Sequence, residues 1–211
     1  MLREDALKAV YPRLKSQVVV TIMGAVAVEL YNLGHQPNFF YLEHGMGLAS
    51  SMGLGLAVSL PEKKITVLDG DGSVLMNLGS LSTLARYSPP NLTHWIFDNE
   101  SLLSVGGFPT ATGAGTDLAG IAEKAGAEHV VLADTVEDAE QAFNEASERE
   151  GLSIIVSKVD AIGPSSFAMD INLLENRFEF SRYLRGLVGG QQVVSGSTVT
   201  PEPCRILDWL I

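Results

Sequence analysis

Short apolar runs alternate with longer segments of helical period along most of this chain. Residues 3–14 show an amphipathic helical pattern. Val18-Val19-Val20-Thr21 reads as a buried strand. Gly24 opens a helix-like run from Ala25 to Asn32, stopped by Gly34 and Pro37. Phe39-Phe40-Tyr41 is a second strand, and Gly47 to Leu60 is a helix rich in small residues that can pack closely on a sheet. The third strand is 65–68, the next helix 74–87, closed by Pro89-Pro90, and the fourth strand 93–97. Residues 104–116 are glycine-rich and show no clear period, so they read as loop.

A helix at 117–125 and a strand at 129–132 follow. Thr135 with Asp138 forms a capping-box-like start for a helix running to Arg149. Its apolar face is Val136, Ala139, Ala142, Phe143 and Ala146. Leu152 to Ser157 is a continuous apolar strand of the kind buried on both faces. Strand and helix alternate throughout, so the fold class is α/β, with a doubly wound, mostly parallel sheet. Beyond Gly186, Gly, Ser, Thr and Pro dominate the sequence, which reads as a loose tail or an arm that contacts a partner.

Composition narrows the function classes. A chain of 211 residues, 46% hydrophobic, can bury a full core. Its net charge of −11 argues against nucleic acid and against anionic membrane surfaces as partners. One cysteine, Cys204, allows neither a disulfide framework nor a cysteine-held cluster within the chain. The N-terminus carries acidic residues and no apolar core, unlike a signal peptide. The longest apolar stretch, Val18 to Leu30, is too short and interrupted to span a bilayer. The expected localisation is cytoplasmic.

The candidate chemistry lies between Val67 and Ser101. The third strand ends in Gly70-Asp71-Gly72-Ser73, and the fourth ends in Asp98-Asn99. In a parallel sheet, ligands bind in the crevice outside the carboxyl ends of the strands, so Asp71 and Asn99 can each bring an oxygen ligand to one site. A hard divalent cation such as Mg2+ takes such ligands, with phosphate oxygens and water as the rest. Gly70 and Gly72 let the backbone approach a phosphate closely, and a helix beginning near Ser73 would direct its positive end there.

Gly70-Asp71-Gly72-Ser73 with Asn99 downstream resembles the diphosphate-binding motif of thiamine-diphosphate-dependent enzymes. Gly45-Met46-Gly47 upstream and Gly106-Gly107-Phe108-Pro109-Thr110 downstream agree with that family. The likeness is greatest to its sulfopyruvate and phosphonopyruvate decarboxylases. It covers roughly residues 15–160 and, more weakly, continues to 187. The resemblance implies thiamine diphosphate and Mg2+ as cofactors. The metal would be held by Asp71, Asn99 and the backbone carbonyl of Ser101. Gly45, Met46, Gly70, Gly72, Ser73, Asn99, Ser101 and Leu102 would line the cofactor, with Met46 wedging it into its bent, self-activating shape. His44, directly before this motif, is a candidate acid or base on a substrate carbonyl. His35, His94 and His129 show no pairing pattern and read as structural or solvent-facing. Glu100, Leu102 and Leu103 depart from the family's usual residues after the asparagine, adding a negative charge and an apolar wall. No basic pocket for a dianion is evident.

The expected division is an N-terminal helix (1–14), a thiamine-diphosphate-binding domain (15–160) that carries the resemblance, a C-terminal extension (161–187) where it weakens, and a tail (188–211) that the family pattern does not include. Only the diphosphate-binding domain of the family is matched. The glutamate that drives tautomerisation of the aminopyrimidine ring would come from a pyrimidine-domain partner chain, in a hetero-oligomer of α2β2 form or larger. Glu29 lies mid-helix and is not that residue. The implied activity is decarboxylation of a 2-oxo acid, with sulfopyruvate to sulfoacetaldehyde as the best single substrate. An acetolactate-synthase-like carboligase subunit and a non-catalytic Mg/phosphate-binding regulatory subunit are the alternatives. Ferredoxin-linked 2-oxo acid oxidoreductases are disfavoured by the lack of cluster cysteines. A Rossmann-type nucleotide binder would show G-x-G-x-x-G after the first strand, where Thr21-Ile22-Met23-Gly24-Ala25 stands instead.

Overall fold

A computed structural model describes residues 1–189. The chain runs α1 (Arg3–Leu14), β1 (Val18–Ile22), α2 (Ala25–Leu33), β2 (Phe39–Leu42), α3 (Ala49–Ser59) and β3 (Ile65–Gly70). Then come α4 (Asp71–Leu75), α5 (Gly79–Tyr87), β4 (Leu92–Asp98), β5 (Ser101–Leu102) and β6 (Phe108–Pro109). It closes with α6 (Leu118–Lys124), β7 (Val130–Ala133), α7 (Val136–Glu148), β8 (Ser153–Lys158) and α8 (Leu173–Gly189).

Six strands form one sheet in the order β2-β1-β3-β4-β8-β7, with every pairing parallel. Their apolar, β-branched composition follows from burial on both faces, since the crossover helices cover the sheet. β4 is buried from end to end. The order reverses direction between β1 and β3, because β2 flanks β1 on one side while β3 and β4 extend on the other. That reversal leaves a gap between the loops that follow β1 and β3, which is where an open α/β sheet presents its binding crevice.

One hydrophobic core takes in Leu7 and Val10 of α1, the sheet, Phe143 of α7 and Phe180 of α8. Trp95 on β4 stacks on Phe143, with ring centroids 5.3 Å apart, and its indole N–H donates to Ser157 Oγ on β8. α1 is tied to α2 by a buried pair: Arg3 Nε and Nη2 donate to the two carboxylate oxygens of Glu29 at 2.7 and 2.8 Å. The small residues of α3 serve close packing. A Cβ added at Gly53 would collide with Val67 Cγ2 on β3.

Thr135 caps α7 as expected, its hydroxyl accepting the Asp138 N–H, and Ala139, Ala142, Phe143 and Ala146 are buried. Two expectations change. The helix expected over 74–87 is two helices: α4 begins already at Asp71, and the path breaks at Met76-Asn77-Leu78 before α5. The Asn77 amide supplies a reason, because it donates to the Gly47 carbonyl instead of facing solvent. The loop expected over 104–116 contains part of a small antiparallel β5–β6 hairpin and two 3-10 turns, with Glu100 in the left-handed region (φ 57°) at the entry. The last helix continues to Gly189, and the rest of the expected tail lies outside the described residues. Among the described residues, no helix is long and apolar enough to cross a membrane.

Candidate functional site

The crevice at the switch point is walled by three strand ends. Ile22, Met23 and Gly24 follow β1, Gly70 to Ser73 follow β3, and Asn99 to Ser104 follow β4. Met46 reaches in from the turn after β2. Thus Met46, Gly70, Asp71, Gly72, Ser73, Asn99, Ser101 and Leu102 meet in one place, as their positions in sequence suggest. Gly45 is buried behind Met46, and a Cβ there would fall 2.8 Å from Leu42 Cγ.

The turn carrying Met46 is fastened to the start of α4. Gly47 takes φ 82°, a conformation that favours glycine, and a Cβ on it would lie 2.9 Å from Asn77 Cβ. Its N–H donates to Ser73 Oγ at 3.0 Å, and its carbonyl accepts from Asn77 Nδ2 at 2.8 Å. Ser73 therefore keeps its hydroxyl proton available for another acceptor. At Gly72 an added Cβ would collide with Leu102 Cδ2, so glycine is what lets Leu102 lie against this backbone.

Asp71 is only 2% exposed. Thr110 Oγ1 donates to its Oδ2 at 2.5 Å, and Thr112 Oγ1 lies 3.2 Å from the same atom. Oδ1 takes no side-chain hydrogen bond among the described residues. Burial pushes the Asp71 carboxyl above its ordinary value; the Thr110 hydrogen bond opposes this, and the charge on Asp98 adds to it. Asp98 also accepts from Thr112 at 2.7 Å and from Lys158 Nζ at 2.7 Å, and Lys158 reaches Glu100 at 2.7 Å. Burial pulls the Lys158 ammonium down, but its two carboxylate partners outweigh this and hold it above the ordinary lysine value. Asn99 Oδ1 accepts the Ser101 N–H at 3.1 Å in an Asx turn, which uses one of its two lone pairs.

These residues fit a hard cation and a phosphate. A buried carboxylate oxygen and an amide oxygen face one crevice, and among the described residues Asp71 has no cationic side chain beside it to balance its charge. The cavity measures about 80 Å3, well below the ~300–1,000 Å3 of closed small-molecule sites.

Other residues fall elsewhere. His44 has φ 55° and its side chain is 80% exposed, with its N–H on Met23 Sδ; it stands outside the crevice. The structure does not bring it beside Met46 in the pocket. His94 is fully buried and bonded to Asp69 at 3.2 Å, and His35 bonds Glu179 at 2.6 Å and Tyr41, so both serve the fold. The negative charge of Glu100 is matched by Lys158. Sequence reasoning missed Thr112, Asp98, Lys158, Asn77 and Arg3. Arg3 lines the crevice, yet Glu29 already occupies its guanidinium, so among the described residues the wall offers no free basic group for a dianion.

Residues 21–157 match the family model for the thiamine pyrophosphate enzyme C-terminal TPP binding domain. The sulfopyruvate decarboxylase subunit beta of Methanocaldococcus jannaschii is 38% identical over 157 residues, covering 74% of this chain and 82% of that one. Its counterpart from Methanothermobacter thermautotrophicus is 40% identical over 132 residues, covering 63% of this chain and 70% of that one. The phosphonopyruvate decarboxylase of Streptomyces viridochromogenes is 36% identical over 72% of this chain, but the match spans 37% of that longer protein. Among solved structures, benzoylformate decarboxylase from Polynucleobacter necessarius superposes with a TM-score of 0.65 at 20% identity, over 78% of this chain and 34% of that one, a likeness of fold.

Proposed function

This chain belongs to the thiamine pyrophosphate enzymes through their C-terminal TPP binding domain, and from that premise we propose that it is the diphosphate-binding subunit of a two-chain, Mg2+-dependent 2-oxo acid decarboxylase, with sulfopyruvate as substrate. The observation that carries the reading is that Asp71, directly after β3, and Asn99, directly after β4, line one crevice at the switch point of the sheet.

Asp71, the Asn99 side chain and the Ser101 carbonyl hold Mg2+ in this reading. Gly70, Gly72 and Ser73 receive the diphosphate through backbone amides and a hydroxyl. Met46, braced by Gly45 and Gly47, supports the cofactor's bent form. Leu102 and Leu103 exclude water from the reacting face. When bound, the thiazolium ring supplies the electron sink that decarboxylation of a 2-oxo acid requires. His44, exposed beside the crevice, is available to a substrate held between two chains.

A partner chain with a pyrimidine-binding domain supplies the activating glutamate and the missing wall, in an assembly of α2β2 form or larger. The small crevice supports this, as do relatives named as beta subunits of sulfopyruvate decarboxylase. An acidic chain with one cysteine suits the cytoplasm.

Calorimetric titration of thiamine diphosphate with and without Mg2+, on the chain with its co-purifying partner, tests the reading, alongside assay of CO2 release from sulfopyruvate. Binding that needs Mg2+ and vanishes in Asp71→Ala, with CO2 release only from the complex, is the expected result. Absence of binding in every condition overturns the cofactor assignment, and full turnover by the single chain overturns the split site.

A further inference from the structure

The loop from Gly106 to Gly115 is exposed apart from two threonines, Thr110 and Thr112, which are 7% and 4% exposed. Their hydroxyls turn inward onto two acidic side chains from different elements, Asp71 at the start of α4 and Asp98 at the end of β4. The Thr110 N–H donates to the Glu100 carbonyl at 3.0 Å, so the loop is also pinned to the segment that follows Asn99.

The hydroxyls make four short contacts with two protons. Thr110 Oγ1 to Asp71 Oδ2 is 2.5 Å, and Thr112 Oγ1 to Asp98 Oδ1 is 2.7 Å. The remaining contacts, Thr110 to Thr112 at 2.8 Å and Thr112 to Asp71 Oδ2 at 3.2 Å, then lack a proton, since each hydroxyl carries one. Asp98 has Lys158 to balance its charge, whereas Asp71 has no cationic side chain among the described residues. Negative charge is therefore concentrated at Asp71, whose Oδ2 is tied down and whose Oδ1 takes no side-chain hydrogen bond.

We propose that Thr110 and Thr112 are positioning residues for the divalent cation. Thr110 fixes Asp71 by Oδ2 so that Oδ1 is presented to the metal, and Thr112 holds Thr110 and Asp98 in place beside it. Through Thr112 and Asp98 they lock the Asp71 and Asn99 strand ends in one relative position. Asp98 serves the second half of this by receiving the Glu100 N–H at 3.2 Å and Lys158, which shapes the turn carrying Asn99. The proposal rests on the cation reading given above. A loop that merely needed its hydroxyls satisfied could turn them to water; these are directed at the candidate ligand and its neighbour. Groups that orient a metal ligand in this way tune affinity without touching the metal.

The test is Mn2+ binding, followed by electron paramagnetic resonance in the presence of thiamine diphosphate, on the full chain with its co-purifying partner. Thr110→Val and Thr112→Val keep the shape and remove the hydroxyl; each should weaken Mn2+ about 10–100-fold, while Thr110→Ser and Thr112→Ser restore most of the affinity. Valine variants that bind Mn2+ as tightly as the wild type overturn the proposal, whatever happens to their melting temperatures. If either valine variant fails to fold, alanine at the same position carries the same expected and overturning results. Wild-type binding that Asp71→Ala abolishes, with unchanged valine variants, removes this proposal alone. A wild-type chain that binds no Mn2+ removes the cation reading and this proposal with it.

Discussion

The Ser73 hydroxyl oxygen accepts the backbone N–H of Gly47 at 3.0 Å. This one bond joins the turn that carries Met46 to the strand end that carries Asp71. Ser73→Ala leaves a buried N–H unpaired, at a cost of about 1–3 kcal/mol, and leaves the Met46 turn held there by the Asn77 amide alone. A lower melting temperature is expected, with a loss of thiamine diphosphate affinity beyond that of a stability-matched variant remote from the crevice. Thermal denaturation and calorimetry on the same samples check it.

Removal of the Asp71 charge should have opposite effects with and without the cation. Burial raises this carboxyl above its ordinary value of 3.8, so folding penalises its ionised form. Native Asp71 then binds a proton more readily than the unfolded chain does, and stability falls as pH rises through 3.8 and past the raised value. Asp71→Asn should stabilise the cation-free chain near neutral pH and change little below pH 3.8. With Mg2+ and thiamine diphosphate present, the wild type should become the more stable of the two. Melting curves at several pH values, with and without the ligands, show whether the order reverses.

The Arg3–Glu29 pair is buried on both sides. Arg3→Met leaves an uncompensated carboxylate inside the protein and should cost about 3–5 kcal/mol. Adding Glu29→Gln removes the stranded charge and should recover a large part of that loss. A double-mutant cycle in urea measures the coupling; additivity of the two single changes would show that the pair does not hold α1 to α2.

Gly53→Ala should destabilise the chain by about 1–3 kcal/mol, although alanine is the better helix former, because its methyl meets Val67 on β3. Combining it with Val67→Ala should return part of the loss. Chemical denaturation of the three variants settles the sign.

Much of this structure was legible in the chain. Strands such as Val18–Ile22 and Ser153–Lys158 carry apolar runs (Val18-Val19-Val20 and Ile154-Ile155-Val156) on adjacent positions because both their faces are covered, and that pattern survives any detail of packing. Asp71 and Asn99 could be placed together because each directly follows a strand, and the two strands are neighbours. The Asp71 network was not legible. Thr112, Asp98 and Lys158 converge from a loop and two strands, and no local spacing announces their meeting. Arg3 and Glu29 were hidden similarly, one in each of two helices. The break at Met76-Asn77-Leu78 depends on an Asn77 bond to Gly47, thirty residues back. The His44 side chain turned outward because its backbone lies in the left-handed region, which sequence position alone does not reveal.

The neighbour of β4 in the sheet is β8, paired from Thr93↔Ser153 to Asp98↔Lys158. A ribosome would make β4 long before it made β8. At ~5–20 residues per second, the interval between them amounts to several seconds in which an apolar strand shows one unpaired edge. Such an edge is a template for pairing with another chain. Nascent chains halted before Ser153 should accordingly be the ones that depend on chaperones and aggregate, and completion of β8 should mark the point at which this dependence ends.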